Sequence, residues 1–394
     1  MTTSARLRSN APHTLAWALR AALFIALCGG HSVLLNFLQF LFLPLWLIDK
    51  QLFRRWCHQT EHYFALTLVL VTQLLAPTDV VFTHDDSMAS LVQVPGGGAN
   101  QASVLPSHRV ELDLSPRAIV IANHQVYMDW IYLWFVAYYA RCSGYIKIIL
   151  KDSLRDIPIF GWGMQFFRFI FLKRNWAQDK QSFLTQISET AQVHSPFWLT
   201  LFPEGTTITT TTLAKSHAYA QTAGVPLTRH VLLPRATGLY HVCQGLRQSA
   251  DYVYDITMGL EGLTGDRFPQ DVYTIPRMYL EGFYPRQVHM HVRRYPIADV
   301  PTDLEKFQQW ILQRWQEKDW LMAYFYRHGE FPHGGSVAQL CQQPPMDRVQ
   351  PPKLLTSTPQ QVAVHLRSWT EMIPLWTLPL TPWLVGKAWS CLFG

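Results

Sequence analysis

The sequence predicts an α/β domain with an N-terminal transmembrane helical anchor and an apolar C-terminal membrane-associated segment. Patterns of short buried strands, at 118–122 and 197–203, alternate with helical patterns such as 180–193, which is typical of an α/β domain. Residues 15–48 contain one charged residue, Arg20, and are long enough to cross a bilayer. Residues 373–393 contain one charged residue and are rich in tryptophan, which is frequent at membrane interfaces.

The composition favours contact with lipid or with phosphate groups. Charged residues make up 15% of the 394 residues, whereas about 25% is usual for soluble proteins. The net charge of +6 suits an anionic membrane surface or a phosphate-bearing substrate. The sequence has no Lys/Arg run or known motif for nucleic acid. The six cysteines form no C-x-x-C pair, so we expect no metal and no cofactor.

The N-terminal part, residues 1–78, is predicted to be the membrane anchor. Residues 15–48 fit a helical hairpin broken near Gly29 and Gly30, or one long helix, and a signal peptide is the competing interpretation. A hairpin places both basic flanks on the cytosolic side. Residues 63–76 are too short to span a bilayer, and they predict a core or interfacial helix.

Residues 79–300 are predicted to form the catalytic domain. Residues 83–117 are rich in turn formers and predict a loop or an insertion, and Val231–Pro234 is predicted to be a buried strand. Residues 301–394 complete the chain with an amphipathic helix from Pro301, a linker over 328–359 and the apolar C-terminal segment. Thr302 and Glu305 predict a capping box for that helix, and its apolar stripe is Leu304, Phe307, Ile311 and Trp315.

A histidine and an aspartate follow the strand at 118–122. Residues five apart lie about 140° apart on a helix, so His124 and Asp129 meet only if His124 lies in the loop and Asp129 starts the next helix. The carboxylate would then fix one imidazole nitrogen and leave the other as a base. No G-x-S-x-G motif supplies a nucleophile, so the base would act on a substrate hydroxyl in direct acyl transfer. The alternative is a structural His124 with Asp129 as a helix N-cap.

Three further motifs follow in a set order. They are the basic block that ends in Lys173 and Arg174, the stretch FPEGT at 202–206, and VLLPRATG at 231–238. Together with NHQVYMDW, they resemble the motifs of the glycerophospholipid acyltransferase family, which includes lysophosphatidic acid acyltransferases. The resemblance covers roughly residues 118–326.

The resemblance implies a role for each motif. His124 would be the catalytic base and Asp129 its partner, with acyl-CoA as co-substrate and a lysophospholipid as acceptor. The substrate-binding residues would be Lys173, Arg174, Glu204, Gly205, Thr206, Pro234 and Arg235. A planar guanidinium suits phosphate, and Glu204 would either accept from an acceptor hydroxyl or hold the loop. Lys151 and Lys215 would contact phosphate or face water, and backbone amides near the helix start are candidates for stabilising the oxyanion.

One departure bears on the acceptor. Many members of the family have Arg directly after the EGT block, and here the residue is Thr207. The surrounding motifs look like the eukaryotic branch of lysocardiolipin and lysophosphatidylinositol acyltransferases, which implies an acceptor with a larger head group. The alternatives are a lysophosphatidic acid acyltransferase and a non-catalytic membrane lipid-binding protein. We expect a membrane location in the endoplasmic reticulum, with the catalytic domain at the cytosolic face and no nucleic-acid partner.

Overall fold

A computed structural model describes residues 15–94, 104–192, 195–341 and 359–377, and it confirms the α/β fold class. The helices are α1 Leu15–Phe24, α2 His31–Leu41, α3 Leu45–Ile48, α4 Lys50–Leu75, α5 Asp129–Tyr139, α6 Phe160–Phe166, α7 Trp176–Ala191, α8 Thr210–Ala223, α9 Ala236–Gly245, α10 Pro269–Val272, α11 Leu304–His328, α12 Val337–Leu340 and α13 Ile373–Thr377. The strands are β1 Asp79–His84, β2 Val92–Gln93, β3 Glu111–Leu112, β4 Arg117–Ala122, β5 Ile146–Lys151, β6 Ile170–Leu172, β7 Phe197–Leu201, β8 Tyr252–Leu260, β9 Gln287–Pro296 and β10 Gln360–Ala363.

One large sheet organises the fold, with the strand order β10-β1-β9-β8-β4-β7-β5-β6. The strands β8, β4, β7, β5 and β6 are parallel to one another. Strand β9 runs antiparallel to β8, and β10 runs antiparallel to β1. Because the five parallel strands end at one edge, the loops that follow them meet there, and this is where ligands bind in open α/β sheets.

The sheet is the middle of three layers. Successive residues of a strand point to opposite faces, and β4 shows the division clearly. Val120 belongs to the apolar cluster that contains buried residues of α4 and α5. Ile119 and Ile121 belong to the cluster on the other face, which contains buried residues of α7, α9 and α11. Both faces of β4 are therefore apolar, as expected for a central parallel strand.

Of the two alternatives predicted for residues 15–48, the break near Gly29 and Gly30 is wrong, and a helix that continues through them is confirmed. Gly29 and Gly30 lie in a π-helical turn between α1 and α2, and Gly30 has helical dihedral angles, so the helix continues through them. The chain reverses at residues 42–49 instead, and α4 runs back along α2. Asp49 caps α4 by accepting from the backbone N–H groups of Gln51 at 2.7 Å and Leu52 at 3.1 Å. Glycine permits a break but does not require one.

The apolar N-terminal helix lies along α4 over most of its length. Arg20, the single charge in this stretch, donates to the backbone carbonyls of Leu75 and Tyr279. Farther along, the side chain of His31 contacts that of Thr67 at 3.0 Å. Residues Leu15–Ile48 are long and apolar enough to cross a membrane by length and composition alone. The opposite face exposes large apolar side chains, including Leu19, Leu23, Val33, Phe37 and Leu47.

Other segments also differ from the sequence-based predictions. Residues 63–76 are the buried end of α4, so the alternative of a core helix is confirmed, but they do not form a separate helix. The described parts of 83–117 hold the end of β1 and the short β2–β3 pair, whereas Gly96–Gly98 fall outside the described residues. Val231–Pro234 is not a strand, because its amides bond to side chains: Leu232 donates to Glu204 and Leu233 to Ser216.

The C-terminal third joins the same sheet through β10. Helix α11 is confirmed, but its cap is Asp303, which accepts from the N–H of Lys306 at 3.0 Å, and not the predicted Thr302. Of the predicted stripe, Phe307, Ile311 and Trp315 are buried, whereas Leu304 is exposed. Short α12 lies within the predicted linker, and residues 342–358 and 378–394, with most of the C-terminal segment, fall outside the described residues.

Four charged side chains are buried where α11 crosses β8 and β9. Arg293 pairs with Asp255 at 2.6 Å and with Glu317 at 2.5 Å. Lys318 pairs with Asp255 at 2.6 Å and donates to the carbonyl of Ile256 at 2.8 Å. Burial lowers the pKa of Lys318, and the Asp255 charge opposes this effect. Removing one member would leave an uncompensated charge in the core.

We therefore expect Lys318→Met to destabilise the protein by about 3–5 kcal/mol, the usual cost of breaking a buried ion pair. Lys306→Met, at an exposed position of the same helix, is the matched control and should stay within about 0.5 kcal/mol of the parent. Thermal unfolding of the purified full chain measures both variants. Equal melting temperatures for the two variants would contradict a stabilising role for this network.

Candidate active site

The residues predicted from the sequence meet at the edge where the parallel strands end. His124 follows β4, Arg174 follows β6 and Glu204 follows β7. All three line one cavity of about 1550 Å³. The same cavity is lined by Lys151, Gly205, Thr206, Lys215, Pro234 and Arg235. Lys173 is not among its lining residues, and Asp129 lies behind His124, fully buried.

His124 and Asp129 form a hydrogen-bonded pair. Their Nδ1 and Oδ2 atoms are 3.0 Å apart. Asp129 is the first residue of α5, as the five-residue spacing required, and its Oδ2 also accepts from the backbone N–H groups of Gln125 at 2.5 Å and Val126 at 3.0 Å. Burial raises the pKa of Asp129, and the hydrogen bond with His124 opposes the rise. With the carboxylate accepting from Nδ1–H, the other ring nitrogen of His124 is left as a proton acceptor.

The sequence allowed two interpretations of Asp129, as the partner of a catalytic His124 or as a helix N-cap. The structure combines features of both. The N-cap position of α5 is Met128, which makes no side-chain capping bond. Asp129 instead folds the preceding loop around its own carboxylate, and the same oxygen orients the histidine. A single buried side chain thus shapes the loop and sets the tautomer of its neighbour.

The backbone amides near the start of α5 already have acceptors. The N–H of His124 donates to Glu204 at 3.2 Å, and those of Gln125 and Val126 donate to Asp129. The N–H of Tyr127 donates to the side chain of Gln270 at 2.7 Å. In this conformation these four amides already have acceptors in the protein, and the amides that would stabilise an oxyanion stay unassigned.

Glu204 ties three loops together. It is 2% exposed, and its two carboxylate oxygens accept from the backbone N–H groups of His124 at 3.2 Å and Leu232 at 3.1 Å. Ile208 completes the link by donating its N–H to the carbonyl of His124 at 3.1 Å. Burial raises the pKa of Glu204 to about 8, and the two amide donors and the nearby Lys318 charge oppose the rise. Both carboxylate oxygens of Glu204 therefore accept hydrogen bonds from the backbone.

Sequence reasoning missed two residues that position His124. The ring of Phe202 stacks on the imidazole, with centroids 4.3 Å apart and planes 20° apart. Asn123, fully buried, donates to the carbonyl of Met258 at 2.9 Å and accepts from its N–H at 2.8 Å. Their positions next to the motifs could have indicated them, since Asn123 directly precedes His124 and Phe202 begins the FPEGT stretch.

The cationic side of the cavity is formed by Arg174 and Arg235. Arg174 has a positive φ of 66° and is exposed at the cavity, and partial desolvation and the nearby Arg235 charge lower its pKa. Gly205 also has a positive φ, 74°, and a Cβ added there would lie 3.3 Å from Nε of Arg235. Glycine thus allows the backbone to turn directly beneath this guanidinium.

The cavity also reaches the N-terminal helix. Ser32, Leu35, Asn36 and Gln39 of α2 line it together with Phe160, Gly163 and Met164 of α6. Asn36 holds the two helices together by donating to the carbonyl of Ile159 at 2.7 Å. Mostly apolar walls therefore surround the region away from the arginines, as expected of a pocket for a hydrocarbon chain.

Comparisons with known proteins identify related sequences. Residues 103–261 match the acyltransferase family, and residues 278–365 match the acyltransferase C-terminus family. An uncharacterized acyltransferase of Schizosaccharomyces pombe is 35% identical over 80% of this chain and 87% of its own length. The 2-acyl-1-lysophosphatidylinositol acyltransferase of Saccharomyces cerevisiae is 31% identical over 85% and 87%, respectively. Lysocardiolipin acyltransferase 1 of Gallus gallus is 38% identical over 54% and 55%. The chain therefore belongs to the acyltransferase family, and its relatives include lysocardiolipin and lysophosphatidylinositol acyltransferases.

Proposed function

We propose that this protein transfers a fatty acyl group from acyl-CoA to a free glycerol hydroxyl of a lysoglycerophospholipid, with lysophosphatidylinositol as the leading acceptor. The observation that carries the proposal is the His124–Asp129 pair, 3.0 Å apart, in a cavity that also holds two arginines and apolar walls. The yeast relative is named for lysophosphatidylinositol and aligns over most of both chains, which supports this acceptor.

In the proposed reaction, Nε2 of His124 accepts the proton of the acceptor hydroxyl. The oxygen attacks the carbonyl carbon of the acyl-CoA thioester and forms the new ester bond. The C–S bond breaks, and the CoA thiolate takes the proton back from His124, so the enzyme ends in its starting state. Asp129 stabilises the imidazolium and keeps Nδ1 protonated. Acyl-CoA is a co-substrate. The proton is accepted and returned by His124 of this chain.

Glu204 has a positioning role in this proposal. Of the two alternatives that the sequence left open, holding the loop is favoured, because both carboxylate oxygens already accept from backbone amides. Arg174 is proposed to bind the acceptor phosphate. Phe202 and Asn123 restrict the imidazole and its loop from the sides.

We further propose that the protein lies on the cytosolic face of the endoplasmic reticulum, with the exposed face of α1 and α2 in the membrane. The contacts of this helix support an orientation along the domain: Arg20 binds the carbonyl of Tyr279 near one end, and Gln39 contacts Thr60 at 2.9 Å near the other. A helix that crossed the bilayer would carry one of these ends away from its partners.

A first prediction tests catalysis. His124→Ala should lower kcat by about 10²–10⁴-fold, the usual contribution of general acid–base catalysis, and Asp129→Asn should also be severe because it favours the wrong tautomer. Turnover of acyl-CoA and lysophosphatidylinositol by purified full chain measures the effect. His108→Ala, at an exposed position, is the control. A folded His124→Ala protein with normal turnover would reject His124 as the catalytic base. A folded wild-type protein without turnover would favour the alternative of a lipid-binding protein.

A second prediction tests topology. A single cysteine introduced at Leu15 or at Lys50 marks each end of the apolar helical stretch. In sealed microsomes, both should react with a membrane-impermeant maleimide from the cytosolic side, because the helix lies along a cytosolic domain. The parent chain, whose described cysteines are buried or partly buried, reports background labelling. Labelling of one site only after permeabilisation would contradict the proposed orientation.

A third prediction concerns the acceptor. Arg174→Ala should raise the KM for the lysophospholipid about 10–100-fold and spare acyl-CoA, because losing a charged hydrogen bond costs about 1.5–3 kcal/mol. Arg174→Lys should recover part of the loss, since an ammonium lacks the planar fork of donors. Saturation curves in mixed micelles, with lysophosphatidylinositol and lysophosphatidic acid as competing acceptors, measure both. A strong wild-type preference for lysophosphatidic acid would favour the alternative function.

A further inference from the structure

Two arginines face the cavity without a counter-ion. Within residues 15–94, 104–192, 195–341 and 359–377, the guanidinium groups of Arg174 and Arg235 form neither an ion pair nor a side-chain hydrogen bond. Both line the cavity, and the charge of Arg235 contributes to lowering the pKa of Arg174. Two like charges that repel each other are stabilised when an anion binds between them.

The backbone holds both arginines in place. Asp179 accepts from the N–H of Lys173 at 3.0 Å and of Asn175 at 3.1 Å, so it fixes the loop on both sides of Arg174. Arg174 itself has a φ of 66°, a conformation that non-glycine residues adopt at a cost. The N–H of Arg235 donates to the carbonyl of Pro203 at 2.8 Å.

The start of α9 adds to the positive potential. Arg235 is its N-cap residue and makes no side-chain capping bond. The first residues of this ten-residue helix, Ala236, Thr237 and Gly238, line the cavity beside the arginines. A helix N-terminus presents unpaired N–H groups and a partial positive charge, and both favour a bound anion.

We propose that Arg235 is the second half of a phosphate clamp: Arg174 and Arg235 bind the same phosphate group of the acceptor lysophospholipid. This inference rests on the proposed function for the identity of the acceptor. Thr207, next in sequence to the FPEGT stretch, is uncharged and 2% exposed, so it contributes no cation. Arg235, whose guanidinium lies over Gly205, contributes a cation from a different loop instead.

The phosphate could belong to the acceptor or to CoA, and the connections of the loops favour the acceptor. Gly205, which packs against Arg235, directly follows Glu204, whose carboxylate holds the N–H of His124. Arg235 and the catalytic base are thus held by adjoining residues. In a lysophospholipid, the free hydroxyl and the phosphate are carried by the same glycerol unit, which matches this close arrangement.

The experiment measures the binding and turnover of each substrate separately with the purified full chain in mixed micelles. Arg235→Ala should raise the KM for lysophosphatidylinositol about 10–100-fold and leave the KM for acyl-CoA unchanged. Arg235→Lys should recover part of the loss because it keeps the charge but not the fork. Arg267→Ala, an exposed arginine outside the cavity lining, is the matched control and should change neither value.

A double-mutant cycle tests whether the arginines share one phosphate. If they do, the Arg174→Ala/Arg235→Ala protein should lose less acceptor affinity than the product of the two single losses, because residues that act on one group are not additive. Fully multiplicative losses would overturn the shared site. A raised KM for acyl-CoA with an unchanged acceptor KM would assign the phosphate to CoA and overturn the proposal.

Direct binding separates this inference from the proposed function. Without acyl-CoA, Arg235→Ala should bind lysophosphatidylinositol more weakly but bind monoacylglycerol, which lacks the phosphate, as the wild type does. Equal weakening for both ligands would point to a misfolded cavity and overturn the clamp. If wild-type protein shows no acyl transfer, the proposed function fails, and this comparison still supports or rejects the phosphate clamp.

Discussion

The arrangement of the site depends on the buried carboxylate of Glu204. Its two oxygens join the loop after β4, through the N–H of His124, to the extended segment before α9, through the N–H of Leu232. Because Glu204 itself follows β7, one side chain links three segments that are far apart in sequence. Two amide donors and the nearby Lys318 charge act against the burial that raises its pKa to about 8. The histidine and the cationic side of the cavity are held in register by this link.

Charged side chains lie at three depths around the cavity. Asp129 lies behind His124, and its Oδ2 atom accepts hydrogen bonds from the imidazole and from two loop amides. Arg174 and Arg235 lie at the front, without counter-ions among the described residues. The ion pairs of Arg293 and Lys318 lie deeper, between α11 and the sheet. Negative charge therefore faces His124 and unpaired positive charge faces the cavity, an arrangement that suits the proposed proton acceptor and anionic substrate.

The N-terminal helix has two faces with different surroundings. One face packs on α4 and contributes Ser32, Asn36 and Gln39 to the lining of the cavity, and the other exposes apolar side chains. The segment that the sequence marks as an anchor is thus also a wall of the site. The buried polar side chains on this otherwise apolar helix each donate one hydrogen bond: Ser32 to Cys28, Asn36 to Ile159 and Gln39 to Thr60.

The class of fold, the pair His124 and Asp129, and the family could all be predicted from the sequence. Alternating strand and helix patterns are local, and the pair lies within five residues across one strand–helix junction, so short-range rules suffice. Three features could not be predicted in this way: the place where the N-terminal chain reverses, the bond of Leu232 to Glu204 instead of to a strand, and the packing of Arg235 over Gly205. Each depends on contacts between segments distant in sequence. Periodicity carries no information about such contacts, because it reports which face of an element is buried and not which partner covers it.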